Sequence, residues 1–355
     1  MPSIPAGFSC TIASMHTEEN RHQPASNSLP DDAGTWNREL AEGWVDQSLE
    51  AHGIERLGPL GSIQITPWSA IARCTSSSGD LYFKACEERS RYEVGLLELL
   101  AERHADCSPT ILALDRKHGW LLMKDAGQRL RDQLDEGNWL AHWKRILARY
   151  AELQVDFTQL QPELLQLEVP DRRLPLLAER VEAILDEPGL VLTEEPGSLT
   201  KPQMGELIDL MPLIRSRCSE LEAAGIPHSI NHGDFHDANI FVRGGDYIFL
   251  DWGDASLTHP FFSLRTVFVS LENTLGFPEN APVFTSLRDS YLENFSEYAA
   301  ETQLIDAFDL ASRLWPISSL LSWHHSLSAR PIENQIKYRD VIPSLLLELL
   351  EANRD

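Results

Sequence analysis

Basic residues are scarce in this chain. It carries 30 Lys and Arg against 54 Asp and Glu, a formal net charge of −24 over 355 residues. That balance argues against binding nucleic acid through a broad basic surface. It is compatible with a cationic small-molecule partner, although surface acidity also simply keeps proteins soluble. Cysteine is scarce as well: Cys10, Cys74, Cys86, Cys107 and Cys218 are scattered, odd in number and form no C-x-x-C pair. Such a set argues against a disulfide frame or a zinc site and suits reduced thiols in a cytosol. No apolar run approaches the ~18 residues that span a bilayer. The N-terminus has neither the basic nor the apolar region of a signal peptide, and no internal repeat is present. The expectation is a soluble cytoplasmic protein.

What is present is ordinary globular material, 43% hydrophobic and 24% charged, and long enough for two subdomains. Residues 1–35, rich in Ser, Pro and Asn, read as a loose leader. A helix is expected over 36–51, with Leu40, Trp44, Val45 and Leu49 along one face. Residues 57–86 turn β-rich, with strands at 62–66, 70–74 and 81–85 forming an antiparallel meander punctuated by Gly58, Gly61, Pro67 and a Ser76–Asp80 turn. The third strand carries Lys84 inside an apolar run, which by itself reads as a solvated edge residue. A helix follows at 88–104, with Glu93 beside its apolar stripe, close enough to Lys84 for an ion pair. Apolar runs at 110–114 and 119–124 precede a break at Asp125-Ala126-Gly127. This is the expected boundary: an N-terminal lobe over 36–126 and a helical C-terminal lobe over 127–355. In the latter, helices are expected at 138–156, 174–186, 202–224, 260–274, 283–299, 304–327 and 343–353. Residues 160–200 read as a variable insert.

The chemistry concentrates in 230–254. His232, Asp234, His236 and Asn239 run into an apolar strand, Ile240–Val242. A Gly244-Gly245 turn and a second strand, Tyr247–Leu250, end in Asp251. A hairpin would bring Asn239 and Asp251 together with Asp234 on the loop beside them. Two carboxylates and a carboxamide suggest a hard-metal site with a spare base. Asp-x-x-x-x-Asn followed by a strand-terminal Asp suits phosphoryl transfer from ATP. Asn239 and Asp251 would ligate Mg²⁺, Asp234 would orient an attacking hydroxyl, and Lys84, held by Glu93, would contact the α- and β-phosphates.

The run His-Gly-Asp-Phe-His-Asp-Ala-Asn at 232–239, with Leu-Asp-Trp at 250–252, resembles the H-G-D-x-H-x-x-N and I-D-W signatures of the aminoglycoside phosphotransferase and choline kinase-like family. The resemblance implies an α+β, bilobal protein kinase-like fold, with a β-rich nucleotide-binding N-lobe and a mostly helical C-lobe. It makes Asp234 the catalytic aspartate, Asn239 and Asp251 the metal ligands, Lys84 the nucleotide-binding lysine and Glu93 its partner. Leu122-Met123-Lys124-Asp125 takes the place of the hinge whose backbone receives adenine. The implied activity is a small-molecule kinase using ATP and Mg²⁺, with a hydroxyl acceptor.

Two departures accompany the match. No G-x-G-x-x-G precedes the second strand; Pro67-Trp68-Ser69 stands there, and Ser69 reads either as a phosphate contact or as an ordinary turn serine. Ser263 stands where the family places a structural aspartate. His232 and His236 read as loop-bracing hydrogen-bonders, Asp254 as a structural carboxylate and Trp252 as packing. Trp315, Trp323, His324 and His325 read as core in a late helix, although the family's C-terminal helices wall the substrate pocket. The alternative class is a catalytically silent kinase-like binding module. A metal-dependent phosphohydrolase would need further ligand clusters, and His104, His142 and His259 are expected to sit in none.

Overall fold

The computed structural model describes residues 37–66, 68–135, 137–187, 198–278, 281–328 and 338–354. The expected leader, Cys10 and Pro67 lie outside these residues. Helix α1 (Arg38–Ala51) starts where Asn37 caps it, the Asn37 side chain accepting from the Leu40 amide as N-cap residues do. Strands β1 (Gly61–Ile65), β2 (Ser69–Ser76), β3 (Gly79–Cys86), β4 (Ile111–Asp115) and β5 (Trp120–Lys124) form one antiparallel sheet in the order β1-β2-β3-β5-β4. β3 therefore pairs on both sides, with Lys84 opposite Ile71 and Leu121.

That placement corrects the edge-residue reading of Lys84, which is 5% exposed. Side chains alternate faces along a strand. Leu81, Phe83 and Ala85 join α1 residues Val45 and Leu49 in one apolar cluster, whereas Cys86 belongs to the other, larger cluster together with residues of helix α2 (Tyr92–Arg103). Lys84, in phase with Cys86, faces α2. The helix expected at 88–104 is in two pieces, a 3-10 turn at Glu88–Ser90 and then α2.

After β5 the chain turns at Gly127 (φ 98°), where a Cβ would come within 2.2 Å of the Val242 carbonyl oxygen. Only glycine fits so close to a neighbouring backbone. The short strand β6 (Gln128–Arg129) then pairs with β8 (Ile240–Arg243), which pairs with β9 (Asp246–Phe249). A two-stranded ribbon joins β7 (Ser229–Asn231) to β10 (Ser256–Thr258).

The remaining helices are α3 (Trp139–Phe157), α4 (Gln161–Gln166), α5 (Leu174–Leu185), α6 (Lys201–Ala223), α7 (Phe262–Leu275), α8 (Pro282–Leu292), α9 (Glu301–Leu327) and α10 (Val341–Ala352). α4 was not expected: its six residues are too few for a periodic stripe to stand out. The helix expected over 283–299 ends at Leu292 and continues as a 3-10 turn to Phe295. α3 is the central helix, with Trp143, Ile146, Leu147, Tyr150, Ala151 and Phe157 all at 0% exposure. No helix among the described residues is long and apolar enough to cross a membrane. The architecture is α+β, an antiparallel sheet with its own helices followed by a mostly helical part.

Candidate active site

Phe235 explains how the 232–239 loop is held. It is wholly buried, stacks on Tyr150 at 4.0 Å between ring centroids and meets Phe249 edge-on at 5.1 Å. Burying one phenyl ring contributes about 2–3 kcal/mol. With Phe235 pointing into the core, its neighbours Asp234 and His236 line the cleft.

Polar contacts complete the support. His232 has one consistent neutral form: Nε2 donates to the Leu250 carbonyl (2.9 Å) and Nδ1 accepts from the Asp234 amide (3.4 Å). Burial pushes its pKa down to about 4, so the ring stays uncharged near neutrality. The His232 amide donates to the Tyr150 hydroxyl at 3.0 Å, and Tyr150 meets the Ser263 hydroxyl at 3.0 Å. Ser263 donates to Asn231 Oδ1 at 2.6 Å. At the position where an aspartate was expected, a neutral network of Ser263, Tyr150 and Asn231 therefore braces the loop.

Asp234 is fixed by two donors on one oxygen, His236 Nε2 at 3.1 Å and Asn239 Nδ2 at 2.9 Å. His236 Nδ1 accepts from the Ala238 amide, which leaves Nε2 as the protonated nitrogen. Burial alone would lower the His236 pKa, but the Asp234 charge and hydrogen bond, with Asp237 nearby, raise it above its ordinary value. Asp237 is itself held by Arg131, whose Nη2 and Nε donate to Oδ1 at 2.6 and 2.9 Å.

The hairpin forms as expected, with one correction. Its second strand stops at Phe249, so Asp251 lies beyond the strand end instead of terminating it. The Leu250 amide turns back to the Asn239 carbonyl at 2.9 Å, and this bond brings the Asn239 and Asp251 segments side by side. Asp251 then adopts φ 65°, a left-handed conformation that costs a non-glycine residue about 1 kcal/mol or more. Its carboxylate is half-exposed and lines the cleft.

Lys84 reaches both carboxylates at once, with Nζ 2.7 Å from Glu93 Oε1 and 2.7 Å from Asp251 Oδ1. Burial would lower its pKa, yet Asp251 and Glu93 hold it well above the usual lysine value. Lys84 in turn lowers that of Asp251 despite desolvation. Glu93, 1% exposed, also accepts from the Trp252 amide at 3.0 Å and from the Cys86 thiol at 3.3 Å.

The structure thus brings Lys84, Glu93, Asp234 and Asp251 to one cleft, with Ser69 on its rim and Asn239 behind Asp234. The β1–β2 turn closes as the Thr66 amide donates to the Ser69 carbonyl (2.8 Å) and the Ser69 amide donates to the Thr66 hydroxyl (3.0 Å). Met123 is not brought to this cleft. It pairs with Tyr82 and Ile111 inside the sheet and is 7% exposed. Trp315, Trp323 and His325 do line the cleft. His324 instead reaches Glu187 at 3.1 Å.

Sequence reasoning passed over Arg131 and the Tyr150 hydroxyl, because one follows a turn without a motif and the other lies in an apolar stripe. One further expectation is corrected. His104 does sit in a cluster, with Asp106 and Cys107. Its nitrogens are nonetheless engaged by Arg149 (2.9 Å) and Asp156 (3.1 Å), so it offers no metal ligand.

A buried lysine–glutamate pair under an antiparallel sheet thus shares one cleft with a loop aspartate and an aspartate beyond a hairpin. Residues 74–301 match the phosphotransferase enzyme family model, and the chain belongs to that family. No curated protein sequence matches it. Among solved structures it is similar to a Plasmodium vivax ethanolamine kinase, at TM-score 0.56 and 13% identity over 99% of this chain and 96% of that one. It is also similar to a Cryptosporidium parvum choline kinase (TM-score 0.54, 12% identity, 89% and 92% covered). A third is a macrolide 2'-phosphotransferase from Brachybacterium faecium (TM-score 0.54, 15% identity, 85% and 97% covered). At these identities the likeness speaks to fold.

Proposed function

We propose that this chain is an ATP- and Mg²⁺-dependent kinase transferring the γ-phosphate to a hydroxyl of a small molecule. The observation that carries the proposal is Lys84 held between Glu93 and Asp251 at 2.7 Å each, on the same cleft as Asp234. Buried ion pairs are costly unless each charge is matched, and a site that retains one facing a cleft suits binding of a polyanion.

The donor set fits a hard cation. Asn239 spends its amide nitrogen on Asp234, which leaves its carbonyl oxygen and the Asp251 carboxylate as the oxygen ligands Mg²⁺ favours. Bound with the nucleotide, the ion would neutralise charge on the triphosphate oxygens. Lys84 would hold the α- and β-phosphates and Glu93 would aim it. Ser69 would approach the phosphates from β2, and the end of β5 at Met123 would begin the segment that receives adenine. Asp234 would accept the hydrogen bond of the acceptor hydroxyl and take its proton as the oxygen attacks. His236 and Asn239 set the plane of that carboxylate.

The division at 126/127 would separate a nucleotide-binding lobe from the helical lobe. The proposal includes a cytoplasmic location, with ATP at hand and with Cys74, Cys86, Cys107 and Cys218 buried and free. The test is ADP release over an acceptor panel with ATP and Mg²⁺, comparing the native chain with Asp234→Asn. Turnover should fall by about three orders of magnitude while nucleotide binding by calorimetry persists. Near-normal turnover of the variant would remove Asp234 from its role, and a silent binding module would show binding without turnover in either protein.

A further inference from the structure

We propose that the acceptor is an uncharged, polyhydroxylated molecule of carbohydrate type, bound along the wall that α7 and α9 give to the cleft. The inference rests on the phosphotransferase reading and deepens it.

That wall includes Ser270, Asn273, Ser319, Ser322 and the indoles of Trp315 and Trp323, with His325 near its end. Neither helix contributes a carboxylate, lysine or arginine to the described cleft lining, in a chain with 54 acidic residues. Polyamine acceptors need carboxylates to replace the hydration of each ammonium. The carboxylates of the cleft, Glu87, Glu93, Asp234, Asp251 and Asp254, come from other segments and not from this wall.

Behind the wall lies a positive charge. Arg172 is 4% exposed and donates from Nη1 to the Ser322 hydroxyl at 2.6 Å. Among the described residues it makes no ion pair. A hydroxyl that accepts from a guanidinium is polarised, and its own proton is left to donate. Ser322 finds no acceptor for that proton among the described residues, and it lines the cleft. A ligand oxygen can take such a proton; an ammonium, with no lone pair, cannot.

The indoles point the same way. Trp315 Nε1 donates to the Thr266 hydroxyl at 3.0 Å, and the Arg265 guanidinium lies 5.9 Å from the ring centroid. A cation already beside the ring disfavours a second one there, whereas the C–H face of a sugar ring can pack on the ring's other face without a charge conflict. Ser270 and Ser319, whose side chains make no hydrogen bond among the described residues, add donors and acceptors along the same wall. Sites built to hydrogen-bond hydroxyls discriminate strongly against ligands that lack them.

The experiment is ADP release by the full chain with ATP and Mg²⁺ on D-glucose, D-ribose, myo-inositol, kanamycin and choline, with nucleotide binding followed in parallel by calorimetry. We expect turnover of at least one neutral polyol, with kcat/KM about 100-fold above that of either cation. Ser322→Ala should raise KM for that polyol about 10-fold, with kcat and the KM for ATP within a factor of two to three of native. If Ser322→Ala does not fold, Ser319→Ala carries the same KM test. Preference for kanamycin or choline, or an unchanged acceptor KM in the folded variant, overturns the acceptor class. Nucleotide binding with no turnover of any neutral polyol also overturns it and leaves the nucleotide site standing. Failure to bind nucleotide overturns both readings.

Discussion

Lys84 and Asp251 lie 167 residues apart in the chain and 2.7 Å apart in space. A strand of the sheet and the end of a hairpin in the helical part meet through this one ammonium. Removing one partner of a buried pair typically costs 3–5 kcal/mol, but Asp251 is half-exposed and Glu93 still faces the lysine.

Asp251→Ala should therefore leave the chain folded, with a loss of stability of about 1–2 kcal/mol. Its main effect should fall on metal-dependent nucleotide binding. Calorimetry with ATP, with and without Mg²⁺, should show the native Mg²⁺ dependence abolished in the variant.

Gly233 adopts φ 82°, and a Cβ there would lie 2.2 Å from the Asp254 carbonyl oxygen. Gly233→Ala pays for both strain and overlap, about 2 kcal/mol or more. Because the residue precedes Asp234, turnover should fall further than stability does. Thermal unfolding beside ADP release separates the two effects.

The network under the loop invites a different test. Ser263→Ala removes the donor to Asn231 Oδ1 and the partner of the Tyr150 hydroxyl. A buried polar group left unpaired costs about 1–3 kcal/mol. We expect kcat to drop about 10-fold, with the KM for ATP unchanged. Tyr150→Phe, which strips the His232 amide of its acceptor, should behave alike.

Much of this site was legible from short motifs. The loop, hairpin, Lys84 and Glu93 each have a local signature: a polar cluster, a Gly-Gly turn, a charge in an apolar strand, a spacing. What was not legible depends on distant partners. Lys84 alone cannot reveal that β5 pairs beyond it, because β4 and β5 are joined in sequence order but β5, not β4, lies against β3. Asp251 reads as the end of a strand until the Leu250 amide is seen turning to Asn239. Tyr150 reads as apolar core, since six of its helix's buried neighbours are apolar and only its hydroxyl matters to the loop. The loop brace at Ser263 could not be inferred from a missing aspartate, because the replacement comes from α3.

Acid should weaken the fold in a defined window. His259 is wholly buried, and burial holds its pKa at about 3 against an ordinary 6.5. The unfolded chain takes up a proton below about 6.5 while the native state refuses it. The contribution is therefore complete above that pH and is lost as pH falls toward 3. At pH 5 the loss is roughly 2 kcal/mol. Urea unfolding at pH 7, 6 and 5 should show this slope, and His259→Asn should flatten it by a similar amount.

Glu93 Oε1 accepts from both Lys84 Nζ and the Trp252 amide. A single oxygen on α2 thus serves as a shared hinge pin for the lysine of the sheet and for the backbone that follows Asp251. Any shift of α2 would slacken both together. The Lys84 ammonium and the backbone that follows Asp251 thus share one anchor on α2.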